Sequence, residues 1–144
     1  MQIINRMVSD KSQRPEAEQI KLIAERSLFL KRRWRGHAED GTEFGFDLES
    51  RLRHGSVFHQ TELADYIICQ QAEQVYQVSL QNDPAFAALA GWKIGNLHFP
   101  VQITEGWLRT LPDPAISQLF EREGWSFEEV IVVFNPLRAV PHAS

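Results

Sequence analysis

The chain has one cysteine, Cys69, in 144 residues. That excludes an internal disulfide framework and any thiolate metal cluster built by one chain. No apolar run approaches the roughly 18 to 20 residues that cross a bilayer, and residues 1–7 lack the basic start and long apolar stretch of a secretory leader. A cytoplasmic protein without membrane contact is expected. There is no glycine-rich phosphate loop and no nucleophile elbow, and Cys69 lies in the apolar run YIIC with no base visible beside it. That setting suits a small buried hydrophobe. Glu128 and Glu129 stand at a strand start, where paired carboxylates serve solubility, so an enzyme is not expected. Positive charge is also short: 15 Lys and Arg against 19 Asp and Glu leave a formal net charge of −4. No global field then draws the chain to nucleic acid or to an anionic membrane.

What is present is ordinary globular material, 43% hydrophobic and 24% charged, enough for one domain or two small ones with modest cores. Residues 1–8 read as a short strand and 9–18, polar with Pro15, as a loop. Residues 18–25 fit either a helix or a strand. Residues 29–37 and 42–48 form a hairpin around Asp40-Gly41, because glycine tolerates the positive φ of a tight turn. Phe44, Phe46 and Leu48 alternate with Gly45 and Asp47, so one face of the second strand packs. Gly55 marks another turn, followed by short strands at 57–58 and 66–71. The basic cluster Lys31, Arg32, Arg33 and Arg35 surrounds Trp34. On a strand, alternation disperses those charges around one aromatic, which argues for a solvated strand rather than a nucleic-acid patch. This half is expected to be all-β, a small hairpin-rich β-sandwich over residues 1–72.

From Glu73 the pattern changes. Residues 73–80 read as a strand, and Asp83-Pro84 as a helix cap followed by proline at the first helical position. Phe86, Leu89, Ala90 and Ile94 give the helix an apolar stripe. A strand at 99–103, a turn at Glu105-Gly106 and a strand at 107–111 follow. Asp113-Pro114 repeats the cap, for a helix whose Ile116, Leu119 and Phe120 face one way before Gly124 ends it. Residues 127–134 read as a well-buried strand. The order β-α-β-β-α-β is the split unit of ferredoxin-like domains, here over 73–136, with a flexible tail at 137–144. The fold class expected is α+β.

Few side chains can carry chemistry. Of five histidines, His37, His54 and His59 fall in the β half and read as surface residues. His98 stands where a helix pattern stops at Gly95-Asn96 and a strand pattern starts; both residues tolerate the left-handed conformation that ends helices. A histidine on such a corner is aimed by rigid elements, as a metal ligand must be. Spacing alone favours a solvated or hydrogen-bonded histidine at a helix end over a ligand, because one histidine is not a site. His142 lies in the tail and is free to reach a metal held elsewhere.

The stretch GNLHFPVQ, residues 95–102, resembles the G-N-x-H-x-P-x-Q signature of UreE, the urease accessory protein that carries nickel. Further similarity runs in the family's order: IIN at 3–5, DGTEFGFDL at 40–48, LRHGSVF at 52–58, LRTLPD at 108–113 and FNP at 134–136. The resemblance implies a strand at 18–25, a protein-binding β half and a metal-binding second half. It implies a nickel metallochaperone for urease assembly whose partners are other urease accessory proteins and the urease apoprotein. His98 is then the primary metal ligand, with His142 as a possible second. The chain departs from the family in lacking a histidine-rich tail and in reading Asp113-Pro114 where relatives often carry an Asp-His step, so storage of many nickel ions is not expected. One imidazole cannot hold a divalent ion against water, and no neighbour within four residues of His98 is a good donor, so a homodimer with one His98 from each chain is expected. Imidazole takes Ni(II), Cu(II) and Zn(II) alike, and nickel rests on the resemblance alone. The alternatives are a metal-independent protein-binding adaptor of the same fold and, more distantly, a ferredoxin-like RNA binder.

Overall fold

The computed structural model describes residues 1–137. These residues form a mixed α+β fold with three sheets and few helices. It divides into two compact units at the bond between Gln71 and Ala72.

The first unit holds two three-stranded sheets. In one, β4 (Glu43–Asp47) is the centre, with β1 (Gln2–Ile4) parallel on one side and β3 (Arg33–His37) antiparallel on the other. In the other, β6 (Asp65–Gln70) is the centre, with β2 (Gln19–Ala24) parallel and β5 (Val57–Gln60) antiparallel. Alternation along the strands delivers Phe44, Phe46, Leu22, Phe58, Tyr66 and Ile68 to a shared core. Phe44 meets Phe58 edge-on at 4.9 Å and Tyr66 at 5.2 Å, an arrangement that suits the quadrupoles of the rings. Gly45 lies between Phe44 and Phe46 but on the opposite face of β4. A Cβ there would sit 2.7 Å from Ile3 Cδ1, so a larger residue would have to push aside the end of that exposed side chain.

The strand in 18–25 and the 40–41 hairpin stand as expected, with Gly41 at φ +88°. Arg32 and Arg33 both turn to Asp47, and Trp34 stacks on its cross-strand partner Phe46 at 4.2 Å. The all-β expectation needs correction in two places. A 3-10 turn occupies Glu16–Glu18, and a single helical turn, α1 (Arg26–Phe29), stands where the strand was expected to begin at Phe29. The reason is packing: after β2 the chain must reverse, and one helical turn brings Leu28 and Phe29 onto the core. Cys69 is half-buried rather than buried, and burial pushes its thiol above the ordinary value. His59 is likewise half-buried, lying against Phe44 and Tyr66, whereas His37 and His54 are exposed. The His54 Nδ1 accepts the Gln70 N–H at 2.9 Å.

Polar contacts help tie the unit together. Asp65 is 2% exposed. It accepts the Ser12 hydroxyl at 2.6 Å and lies 3.1 Å from Arg14 Nε, in ion-pair range though not aligned for a hydrogen bond. Arg14 also donates to the carbonyls of Thr61 and Glu62 and to Glu18, so it fastens the loop before β2 to the turn before β6.

At the hairpin tip, Asp40 accepts the Thr42 N–H at 3.0 Å and the Tyr66 hydroxyl at 2.6 Å, linking one sheet to the other. The Tyr66 bond, and then the Thr42 N–H, hold the Asp40 carboxyl below its usual range, while the same bond raises Tyr66. A depressed carboxylate contributes stability above its unfolded pKa, 3.8 here, and loses it as pH falls through the lower folded value. Asp40→Asn should therefore flatten the acid limb of the melting-temperature profile below about pH 4. An acid slope identical to wild type would show that the contact contributes nothing.

The second unit is a four-stranded antiparallel sheet of order β10-β7-β9-β8, from β7 (Glu73–Ser79), β8 (Val101–Ile103), β9 (Trp107–Thr110) and β10 (Glu128–Val132). Helices α2 (Pro84–Gly95) and α3 (Pro114–Glu123) fall between β7 and β8 and between β9 and β10. Asp83 and Asp113 cap them as expected, each with proline following, and Gly124 closes α3 at φ +71°. Both helices pack on the sheet through Ala90, Ile94, Ile116, Leu119 and Phe120 against Val78 and Leu108. A Lys93–Glu123 ion pair joins the helices where they end.

Three expectations are corrected here. Leu89 is 42% exposed rather than part of the packed stripe. The strand expected at 99–103 begins only at Val101, since Pro100 has no N–H for the ladder and restricts Phe99 before it. Residues 127–134 are not a well-buried strand: among the described residues β10 pairs with β7 alone, Ile131 is 76% exposed, and of this stretch only Phe134, beyond the strand, is fully buried. A continuous apolar run does not distinguish a central strand from an edge. No helix among the described residues is long and apolar enough to cross a membrane.

Candidate metal centre

The helix before His98 is built to stop. Asp83 accepts the N–H groups of Ala85 and Phe86, fixing where α2 begins. At the other end Asn96 N, Leu97 N and His98 N bond back to Trp92 O, Ile94 O and Gly95 O, each at 3.0 Å. The winding tightens over its last turn and then breaks at His98.

The break is not made by Gly95 or Asn96, as the sequence suggested. Asn96 keeps an ordinary helical φ of −65°, and His98 itself takes the left-handed conformation, at φ +61°. Histidine tolerates this region better than most residues, but a left-handed non-glycine residue still carries strain and persists only where its surroundings fix it. Both flanks do so here. Buried Ile94 anchors the helix end, and Pro100 follows with a fixed φ. The hydroxyl of Thr110, fully buried on β9, donates to the Pro100 carbonyl at 3.0 Å, while the Thr110 backbone pairs with Val101.

His98 is exposed on this corner. Beside it in the chain Leu97 is partly bare, and on α2 Leu89 and Trp92 stand one turn apart, Trp92 64% exposed. The corner thus carries an exposed imidazole on a fixed backbone, at the end of a helix with bare apolar side chains. The chain returns to it after β10: Asn135 N donates to Gln102 Oε1 at 3.2 Å, and Leu137 N to Val101 O at 2.7 Å. His142, the other expected ligand, lies outside the described residues. No group of three or more His, Cys, Asp or Glu able to hold an ion occurs among the described residues. Asp113 spends its side chain capping α3 through the Ala115 N–H.

Sequence reasoning singled out His98 and passed over Thr110 and Gln102. Both fall inside stretches that carried the family resemblance, but a hydroxyl and an amide have no distinctive chemistry until their partners are known.

Residues 73–143 match the family model described as UreE urease accessory protein, C-terminal domain. Among curated proteins, the chain is 32% identical over 110 residues to the urease accessory protein UreE of Pseudomonas fluorescens (strain SBW25), covering 74% of this chain and 65% of that protein. The UreE of Acinetobacter baylyi is 32% identical over 109 residues, 74% of this chain and 67% of its own length. That of Azorhizobium caulinodans is 31% identical over 112 residues, 74% and 52%. The chain thus spans about half to two thirds of the length of these relatives.

Proposed function

Because the chain belongs to the UreE family of urease accessory proteins, we propose that it is a nickel-binding metallochaperone that delivers Ni(II) to the urease apoprotein during active-site assembly. The observation that carries this reading is His98: an exposed imidazole, held in a strained backbone conformation at the end of α2, inside the family signature. Nickel is cargo here, and the chain performs no bond-making reaction.

The succession β-α-β-β-α-β and the order β10-β7-β9-β8 support reading residues 73–136 as a ferredoxin-like metal-binding domain. The two-sheet unit, residues 1–71, is the protein-binding domain that meets other urease accessory proteins. One His98 is not a nickel site, and a two-fold axis supplies the second without any further residue. The apolar face of Leu89, Trp92 and Leu97 beside it suits contact with a second copy. Two imidazoles leave coordination positions open, which lets the site accept an ion and release it. His142, outside the described residues, is the possible further ligand; the last described residue, Leu137, bonds through its N–H to Val101 O, three residues from His98. Cu(II) or Zn(II) would bind the same donors in vitro.

Calorimetric titration with Ni(II), with mass followed by light scattering, tests this. One tight ion per two chains is expected, lost in His98→Ala, weakened on acidification because protons compete for the imidazole nitrogen, and reduced to a smaller extent in a chain ending at Leu137. One tight ion per monomer, or undiminished binding by His98→Ala, rules the model out. Absence of binding by the wild type would leave a metal-independent adaptor.

A further inference from the structure

We propose that Thr110 is a positioning residue for His98, acting through the Pro100 carbonyl; the inference rests on the reading of His98 as the metal ligand. The corner from Gly95 to Pro100 has two ends. Its first end is fixed by backbone bonds that continue the helix, the last being His98 N to Gly95 O. Its second end has no helix to hold it. Pro100 has no N–H, so it cannot be tied to the sheet as a donor, and its carbonyl is the group that remains. Thr110 takes that carbonyl with its side chain while its backbone pairs with Val101.

The choice of residue follows from this. Thr110 sits on β9 between Tyr76 of β7 and Val101 of β8, fully buried, where valine would pack equally well. What valine lacks is the donor. Without it, the Pro100 carbonyl is released, the second end of the corner can shift, and the left-handed strain at His98 can relax toward an ordinary φ. The imidazole would then point elsewhere for part of the time. Metal sites are sensitive to such losses: groups that orient a ligand without touching the ion are worth about 10- to 100-fold in affinity. Thr110 acts at one remove, through backbone, so the lower end of that range applies.

The experiment compares wild type, Thr110→Val, Thr110→Ser, Pro100→Ala and His98→Ala by Ni(II) calorimetry, thermal unfolding and amide hydrogen exchange at His98. Thr110→Val should bind Ni(II) about tenfold more weakly and exchange the His98 amide faster. Thr110→Ser, which keeps the hydroxyl, should bind within about twofold of wild type. Pro100→Ala loosens the same corner without touching the buried position, and should also lose affinity; it decides the matter if Thr110→Val does not fold. A purely structural role for Thr110 would lower melting temperature and leave the affinity of the folded protein unchanged. Wild-type affinity in Thr110→Val or in Pro100→Ala, with binding lost in His98→Ala, overturns the positioning role and leaves the metal reading intact. Wild-type affinity in His98→Ala overturns the metal reading itself.

Discussion

His98→Gly should lose tight Ni(II) binding and yet unfold at a higher temperature than the wild type. The two effects have separate origins in one residue. Loss of the imidazole removes a donor, so the affinity change should exceed the about 100-fold that merely disorienting a ligand can cost. Stability moves the other way because of φ +61°. A left-handed conformation costs a non-glycine residue about 1–2 kcal/mol, and glycine removes that cost. Against this, glycine widens the unfolded ensemble, which costs about 0.4–1 kcal/mol. A net gain of about 0–1.6 kcal/mol, centred on about 0.8, is expected, read by chemical denaturation in the absence of metal. His98→Ala should lose binding equally without the gain in stability. If glycine and alanine proved equally stable at this position, His98 would not be under backbone strain, and the idea of a ligand held by force would fall.

The larger stability effect lies in the first unit. Arg14→Leu should destabilise that unit by about 3 kcal/mol, because it leaves the carboxylate of Asp65 buried without its cation. The loss includes the bonds from Arg14 to the carbonyls of Thr61 and Glu62, which hold the turn before β6. Adding Asp65→Asn should recover part of the cost, since a neutral amide can still meet the Ser12 hydroxyl and no longer needs a counter-charge. Urea unfolding of both variants provides the test. A cost below about 1 kcal/mol for Arg14→Leu would mean that the pair behaves like a surface ion pair.

Much of the fold was legible because its signals are local. Asp83-Pro84 and Asp113-Pro114 announce helix starts whatever the surroundings, since capping needs only the next two or three N–H groups. Asp40-Gly41 fixed a hairpin by the same logic, and alternation placed Phe44 and Phe46 in the core. What failed depended on tertiary order. Whether β10 is central or at an edge is decided by which strands flank it, and Val130 and Ile131 look alike in either place. The helical turn at Arg26–Phe29 was hidden for a similar reason: Phe29 suits a strand or a turn equally, and the need to reverse after β2 decided between them. At the candidate site, histidine was visible by residue type. The left-handed angle was assigned to the glycine because glycine adopts it most cheaply, yet backbone bonds up to His98 N carry the helical winding past Gly95 and Asn96.

The strand order of the second unit also bears on the sequence of events as the chain leaves the ribosome. Every strand of the first unit lies within residues 1–71, and each can find its partners as soon as β6 has emerged. The second unit is different. β7 is the first of its strands to be made, yet its neighbours are β9 and β10, the last two. Until β9 is made β7 has no hydrogen-bonding partner, and Val75 and Val78, fully buried in the end, stay uncovered. Closure of such long-range pairings is slow, because loop entropy is lost before contacts form. The first unit should therefore mature early and the half that bears His98 late, so the corner at residues 95–100 takes shape only after the two-sheet unit is already in place.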